Sequence, residues 1–281
     1  MSRNRKRRGI RLRGGAPAEL QLSNRAACGD IPKLLPLIHV TAVGTAKEII
    51  GSTKLETRTC SVFGKKLVYF FSVKPAYRLG DSDEKSHQIN RFPFVFVVRP
   101  ESIADPFHVY PFDTGGAFSG VFDDQADPHL FLEEYALKSH HSAVAGQIGW
   151  AFGSIESYFE GNIRHDILEN VPRFDTVTRG YVDIAQMART GNNQPDKRAS
   201  AIEIASVHDI PLKDNVTLAI IPKQYLEDDD GHGNVDFLDR LNKLNIPWTT
   251  YNWQPNTSPN AFQGEIADLV RLHLQEGGYL T

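Results

Sequence analysis

Six short apolar runs constrain the fold of this chain more than any other feature of its sequence. They are rich in β-branched and aromatic residues and are bounded by turn-forming residues, which is typical of strands. The predicted strands span residues 36–40, 66–73, 92–98, 200–207, 216–222 and 246–253. Helical patterns occur at residues 45–51, 129–139, 143–160, 181–190, 234–245 and 260–275. Because strands and helices do not alternate regularly, an α+β fold is favoured over a doubly wound parallel sheet.

Composition places the chain among ordinary globular proteins. Its 281 residues can bury one large core, and 41% of them are hydrophobic while 23% are charged. The longest apolar run, near residues 92–98, is far shorter than the roughly 18 residues that cross a bilayer. Cys28 and Cys60 are the only cysteines, so neither a disulfide framework nor a CxxC zinc site is predicted. We expect a reduced, cytoplasmic protein that binds no metal.

The N-terminus carries a dense block of positive charge. Seven of the 31 basic residues and none of the 34 acidic residues fall within the segment 1–13. The basic residues are Arg3, Arg5, Lys6, Arg7, Arg8, Arg11 and Arg13. Such a segment on an otherwise acidic chain is suited to binding phosphates, and a solvated tail is the alternative. We expect residues 1–25 to form a flexible basic arm, and residues 26–281 to form a single domain with a helical insertion around 125–195.

One short motif points to a class of enzyme that the rest of the chain does not support. Asp113, Thr114 and Gly115 form the tripeptide found at the active aspartates of aspartic proteases. That site needs two such aspartates, and the sequence has no second copy. A glycine-rich loop that turns tightly or approaches a ligand is the better interpretation. Neither GxxxxGK[ST] nor GxGxxG after a strand occurs, so nucleotide binding of the P-loop or Rossmann kind has no support.

Three segments carry the residues that point to chemistry. The first, HVTAVGTAKEIIGSTKL, begins at the end of a predicted strand, where alternation places His39 and Thr41 on one face. The second, GKKLVYFFSVKPAY, contains Tyr69 and ends at Tyr77. The third, RASAIEIASV, is a late predicted strand that contains Glu203.

In this order, the three segments resemble the motifs of the ADP-ribosyltransferases of the His-Tyr-Glu type, the class of the poly(ADP-ribose) polymerases. The family's first motif is a histidine, a small residue and Ser/Thr, followed by a helix and Gly-Leu. Val40 and Lys54 stand here where glycine is usual. The second motif is followed with a shorter gap to Tyr77, and residues 80–195 match no motif of the family.

The resemblance implies mixed or antiparallel sheets around an NAD cleft, with NAD as a substrate. His39 would hydrogen-bond the adenosine ribose, with Thr41 close by. Tyr69, with Phe70 beside it, would line the nicotinamide pocket. Tyr77 would stack on the nicotinamide ring, an arrangement that suits an electron-poor pyridinium.

Glu203 is the predicted catalytic carboxylate, together with His39 and Tyr69. Loss of nicotinamide passes through a transition state with oxocarbenium character, as in glycoside cleavage. A carboxylate near the ribose 2′-OH favours that developing charge and can draw a proton from the acceptor. Glu156 and Glu160 are alternatives for the role, and a further alternative is that Glu203 is simply an exposed strand residue.

The basic arm favours a nucleic acid as the acceptor of ADP-ribose, because clustered Lys and Arg bind phosphates without regard to sequence. A base must be unstacked to enter a pocket, so RNA or single-stranded DNA is expected. The resemblance implies a bacterial toxin or phage-defence effector, with a neutralising antitoxin as a possible partner. A protein-modifying enzyme, an RNA 2′-phosphotransferase and a non-catalytic nucleic-acid-binding protein remain alternatives.

Overall fold

The computed structural model describes residues 8–13, 22, 31–32, 34–76, 83–193 and 195–281. Two compact units are distinguished by their internal contacts. The first unit holds the described residues of 1–34, 59–65 and 105–205. The second unit holds the described residues of 35–58, 66–104 and 206–281. The expectation of one domain over 26–281 stays a prediction.

Short strands and helices of ordinary length make up both units. The strands are β1 (Leu37–Ala42), β2 (Lys54–Leu55), β3 (Arg58–Thr59), β4 (Lys66–Ser72), β5 (Pro93–Val98), β6 (His108–Tyr110), β7 (Glu203–Ser206), β8 (Ile210–Pro211), β9 (Val216–Pro222) and β10 (Trp248–Tyr251). The α-helices are α1 (Val43–Ser52), α2 (Thr114–Phe118), α3 (His141–Ala151), α4 (Ile155–Glu160), α5 (Thr176–Ala185), α6 (Lys223–Leu226), α7 (Val235–Lys243) and α8 (Gln263–Glu276). Among the described helices, none is long and apolar enough to cross a bilayer.

The second unit contains a sheet with mixed strand directions. Across it the strands follow the order β10-β9-β5-β1-β4. β9 and β10 run parallel, whereas β9 with β5, β5 with β1 and β1 with β4 are antiparallel. The short strands β2 and β8 form a separate antiparallel pair. The prediction of an α+β fold is confirmed.

The core of the second unit is centred on β5, which reads PFVFVV and is buried along its whole length. Helix α7 packs against it because Phe237 and Leu241, four residues apart, lie on one face and are buried. The rings of Phe94 and Phe237 meet edge to face, with centroids 6.3 Å apart. β5 pairs along its whole length with β1, the strand that carries His39.

The first unit combines a two-stranded pair with short helices. β6 and β7 are antiparallel, and Tyr110 lies opposite Glu203 in their register. Its core includes the buried rings of Phe112, Phe122 and Tyr135. Phe112 lies 5.9 Å from Phe122 and 5.2 Å from Tyr135 between ring centroids.

The structure confirms the six predicted strands, with ends shifted by a few residues. The helix predicted at 129–139 is wrong, since only a 3-10 turn forms at Leu132–Tyr135. The chain leaves that turn in an extended conformation because the Leu137 N–H donates to the Val109 carbonyl oxygen at 2.9 Å. The helix predicted at 143–160 is two helices, since Ser154 caps a new one by accepting from the Ser157 N–H.

Residues 8–13, here called the N-terminal strap, lie against the rest of the first unit. The backbone N–H groups of Arg8 and Gly9 donate to the two carboxylate oxygens of Asp123 at 2.6 and 3.0 Å. The Ile10 N–H donates to the Ala117 carbonyl oxygen at 2.9 Å, and the Ile10 side chain is buried. This part of the expected arm is therefore attached to the protein by its backbone.

The far end of the strap is held by the 3-10 turn. The Leu132 N–H donates to the Arg11 carbonyl oxygen at 2.9 Å. The Arg13 N–H donates to both oxygens of Glu133, at 2.9 and 3.1 Å. The Arg13 guanidinium lies 3.4 Å from a carboxylate oxygen of Glu134.

Candidate active site

Glu203 is the first residue of β7 and lies in the interior of the first unit, with 2% of its surface exposed. Thr114, the first residue of α2, holds both oxygens of this carboxylate. Its hydroxyl donates to Oε1 at 2.6 Å, and its backbone N–H donates to Oε2 at 3.1 Å. The first N–H groups of a helix have no partner within the helix, so Thr114 is free to donate outward.

A histidine completes the surroundings of the carboxylate. His108 Nε2, on β6, lies 3.0 Å from Glu203 Oε1. An ionised carboxylate only accepts hydrogen bonds, so when Glu203 is ionised the hydrogen of this contact is on Nε2. The His108 ring stacks at a tilt on Phe63, with centroids 4.6 Å apart. Glu203 is thus a buried carboxylate whose orientation is fixed by three donors.

The motif at 113–115 lies beside this carboxylate rather than forming a protease site. Burial raises the pKa of Asp113 to about 6, and the negative charge of Glu203 adds to the effect. Arg198 opposes it, with a guanidinium nitrogen 3.6 Å from Asp113 Oδ2. The same guanidinium is already engaged with Asp196, at 2.8 and 3.0 Å. Negative charge therefore exceeds positive charge in this cluster when Asp113 is ionised.

We expect Asp113→Asn to stabilise the protein increasingly as pH rises from 4 to 6. Well below pH 4 the aspartate is protonated in both the folded and the unfolded state, since its ordinary pKa is near 3.9. Between pH 4 and its folded pKa of about 6, the folded state keeps a proton that the unfolded state releases, so the free energy of unfolding falls. Asparagine avoids this loss, which amounts to about 2 to 3 kcal/mol at neutral pH. Urea unfolding at a series of pH values measures it.

Asp209→Asn is the matched control for this pH dependence. Its pKa is lowered to about 2, chiefly by the hydrogen bond from Lys54. The stabilisation by this group is present above its ordinary pKa and is lost only as pH falls toward 2. The difference in the free energy of unfolding between Asp209→Asn and the unaltered protein should therefore be flat between pH 5 and 6, where that of Asp113→Asn still grows. A flat difference for Asp113→Asn as well would contradict the assigned pKa.

His39 lies on β1 in the second unit. Its Nδ1 is 2.9 Å from the carbonyl oxygen of Tyr69, and a carbonyl only accepts, so Nδ1 carries hydrogen. Burial lowers the pKa of His39, and the charge of Arg58 lowers it further. A neutral ring with hydrogen on Nδ1 has a lone pair on Nε2. His39 is therefore prepared to accept a hydrogen bond, for example from a ribose hydroxyl.

Strand β4, which pairs with β1, places the Phe70 ring rather than the Tyr69 ring beside His39. The His39 and Phe70 rings lie 5.7 Å apart between centroids. Because successive side chains of a strand alternate between its faces, the Tyr69 side chain points to the opposite face from Phe70. Tyr69 thus contributes its carbonyl oxygen to the surroundings of His39, and Phe70, only 1% exposed, supports the ring from the core.

The remaining predicted site residues are placed as follows. Thr41 is half-buried two residues beyond His39 on β1 and shares its face. Arg8, Arg11 and Arg13 are exposed on the N-terminal strap. Outside the described residues lie Tyr77, Arg3, Arg5, Lys6 and Arg7.

Sequence reasoning missed His108 and Thr114 as partners of Glu203. A signal for His108 exists, since FHVYPF at 107–112 is a short aromatic and β-branched run that ends near prolines. In the sequence, Thr114 stands out only as part of the tripeptide Asp113-Thr114-Gly115. Its contact with Glu203 joins residues 89 positions apart, and no local pattern reports such a contact.

Neither a protein-family model nor a curated protein matches the sequence. Among solved structures, the chain is similar to DarT from Thermus sp. 2.9, at 11% identity in each of three complexes. The complex with NAD+ has a TM-score of 0.38 and covers 79% of this chain and 97% of that chain. The complex with carba-NAD+ has a TM-score of 0.36 with the same coverage. The complex with ADP-ribosylated ssDNA has a TM-score of 0.37, with coverage of 80% and 97%. Likeness at this level assigns neither an activity nor site residues to this chain.

Proposed function

We propose that this protein is an NAD-dependent ADP-ribosyltransferase that transfers ADP-ribose to a nucleic acid, either single-stranded DNA or RNA. The observation that carries the proposal is the buried Glu203 carboxylate, which Thr114 and His108 hold with three hydrogen bonds. Its position in the third motif of the His-Tyr-Glu resemblance supports the same role. A toxin or defence role, with a neutralising antitoxin, is part of this proposal.

The proposed reaction breaks the bond between nicotinamide and C1′ of its ribose. The electron pair of that bond leaves with nicotinamide, and positive charge develops on the ribose. Glu203 accepts a hydrogen bond from the 2′-OH and stabilises that charge, because its own orientation is already fixed. A nucleophilic atom of the acceptor then bonds to C1′, and its proton passes to the carboxylate or to water.

His39 is proposed to hold the adenosine ribose of NAD. A neutral imidazole whose Nδ1 hydrogen is bound to the Tyr69 carbonyl presents Nε2 as an acceptor for a ribose hydroxyl. Thr41 supplies a hydroxyl on the same face of β1. The Tyr77 ring is proposed to stack on nicotinamide, as the resemblance implies.

We expect His39→Asn to weaken NAD binding about fivefold, because one hydrogen bond is worth about 1 kcal/mol. Asparagine keeps an N–H that can reach the Tyr69 carbonyl but lacks an acceptor at the position of Nε2. The KM for NAD, measured at a saturating acceptor concentration, should therefore rise while kcat changes little.

His273→Asn is the matched control for this substitution. His273 is a second partly buried histidine of the same unit, and burial lowers its pKa as well. It lies on α8 with Nε2 at 3.1 Å from the Thr217 hydroxyl. An equal rise in KM in this variant would indicate a general loss of stability rather than a lost contact with NAD.

The decisive experiment incubates the purified protein with labelled NAD and, separately, single-stranded DNA, total RNA and a protein lysate. Label on a nucleic acid, with release of nicotinamide, is the expected result. Label on protein alone would assign a protein-modifying enzyme. With no label and no nicotinamide release, the protein would be a nucleic-acid-binding protein without this activity.

A further inference from the structure

The N-terminal strap is held mainly by its backbone, and the Arg13 guanidinium adds one ion pair with Glu134. Arg8, Gly9 and Arg13 donate N–H groups to carboxylates, and Ile10 donates to a backbone carbonyl. The Arg11 guanidinium lies over the Phe118 ring at 5.2 Å, at the surface. A segment that served only to attract phosphates would not need these backbone bonds.

The conformation of the strap depends on glycine at one position. Gly9 has a φ of 65°, a region that L side chains rarely adopt. A Cβ at this position would lie 1.9 Å from the carbonyl oxygen of Phe118, the last residue of α2. Only glycine therefore lets the strap approach α2 this closely.

Helix α2 connects the strap to the carboxylate. It has five residues, and a helix this short is not stable by itself in water. At its start, Thr114 donates twice to Glu203. Near its end, the carbonyl oxygen of Ala117 accepts from the Ile10 N–H of the strap. One short helix is thus held at both ends, and its first residue, Thr114, orients the Glu203 carboxylate.

We propose that the N-terminal strap holds α2 in place and thereby positions Glu203 for the transfer reaction. Gly9 and Ile10 are then positioning residues that act through Thr114. This inference rests on the proposed function for its consequence in catalysis. It assigns to residues 8–13 of the basic segment a role that depends neither on their charge nor on which molecule accepts ADP-ribose.

Three variants separate backbone docking from charge. Gly9→Ala disturbs docking without changing charge, because the new Cβ meets the Phe118 carbonyl. The triple variant Arg8→Gln, Arg11→Gln, Arg13→Gln removes three charges, together with the Arg13–Glu134 ion pair and the ring contacts of Arg11 and Arg13, and keeps every backbone N–H. Asp123→Ala leaves the strap unchanged and removes the carboxylate that accepts from the Arg8 and Gly9 N–H groups. It tests the same docking should Gly9→Ala fold poorly.

Gly231→Ala is the control for backbone strain alone. Gly231 also has a positive φ, of 83°, but an added Cβ would meet nothing within 4 Å. It lies in the second unit, far along the chain from the strap. We expect this variant to keep the activity of the unaltered protein.

Two measurements read the outcome: steady-state kinetics with NAD and hydrogen exchange of the Thr114 amide. For Gly9→Ala and Asp123→Ala, we expect kcat to fall by about tenfold or more with KM for NAD within about twofold. Exchange of the Thr114 amide should quicken by about tenfold, because its bond to Glu203 opens more often. The triple variant should keep kcat and Thr114 exchange, and lose affinity for nucleic acid with a weaker dependence on salt.

Several results would overturn the inference. One is a Gly9→Ala protein with unchanged kcat and Thr114 exchange. Another is a triple variant that loses kcat as fully as Gly9→Ala does, which would make charge the cause. Should the unaltered protein fail to turn over NAD, the proposed function fails, and Thr114 exchange in Gly9→Ala still decides whether the strap holds α2.

Discussion

Glu203→Gln is expected to lower the rate of ADP-ribosyl transfer by about a thousandfold, or about 4 kcal/mol of transition-state stabilisation, with little change in stability. The amide oxygen can accept from the Thr114 N–H, and the amide NH2 can donate to the Thr114 hydroxyl oxygen. His108 can take the other neutral tautomer and accept at Nε2. The substitution thus keeps the hydrogen bonds and removes only the negative charge.

Glu156→Gln and Glu160→Gln are the controls, because these two glutamates on α4 are the alternative candidates. Transfer of labelled ADP-ribose measures activity, and thermal unfolding verifies that each variant is folded. Full activity in Glu203→Gln would exclude it as the catalytic carboxylate. Loss of activity in either control alone would move the assignment to α4.

Thr114→Val should reduce both stability and kcat, because valine has the shape of threonine but no hydroxyl. Glu203 Oε1 then loses its 2.6 Å donor while remaining buried, which costs about 1.5 to 3 kcal/mol for a hydrogen bond to a charged group. We expect kcat to fall about 10- to 100-fold, since the carboxylate is less firmly oriented. Urea unfolding and steady-state kinetics give the two quantities.

Thr114→Ser tests whether the loss of kcat in Thr114→Val comes from a less firmly oriented Glu203 carboxylate. Serine restores the hydroxyl donor and the backbone N–H, so it should recover most of the kcat that valine loses. KM for NAD should stay the same in both variants. A valine variant that is less stable but equally active would show that the Thr114 hydroxyl supports the fold and not the reaction.

The sequence predicted the strands well because their signal is local. A run such as PFVFVV at 93–98 is buried on both faces, and its composition alone indicates this. The prediction of a helix at 129–139 failed because a backbone hydrogen bond to a distant strand overrides the local helical pattern. Leu137 bonds to Val109, 28 positions earlier, and that bond keeps the chain extended.

The candidate site was predicted only in part, because its residues come from distant parts of the sequence. Glu203 was found as a carboxylate in a late strand, but the partners that hold it come from β6 and α2. The basic segment was expected to be flexible because its composition is polar and charged. Composition does not register that Ile10 is buried or that Gly9 and Ile10 have acceptors more than 100 positions away.

The pairing of β5 with β9 has a consequence for the order in which the chain folds. These strands are neighbours in the sheet, yet residues 105–205 of the first unit are synthesised between them. The N-terminal strap likewise leaves the ribosome before Asp123, and Gly9 meets that residue only after 114 further residues have been made. Both pairings close long loops, which slows folding. The sheet of the second unit therefore cannot be completed until most of the chain has been made. A nascent chain stalled before residue 216 would expose the edge of β5 that β9 covers in the folded protein.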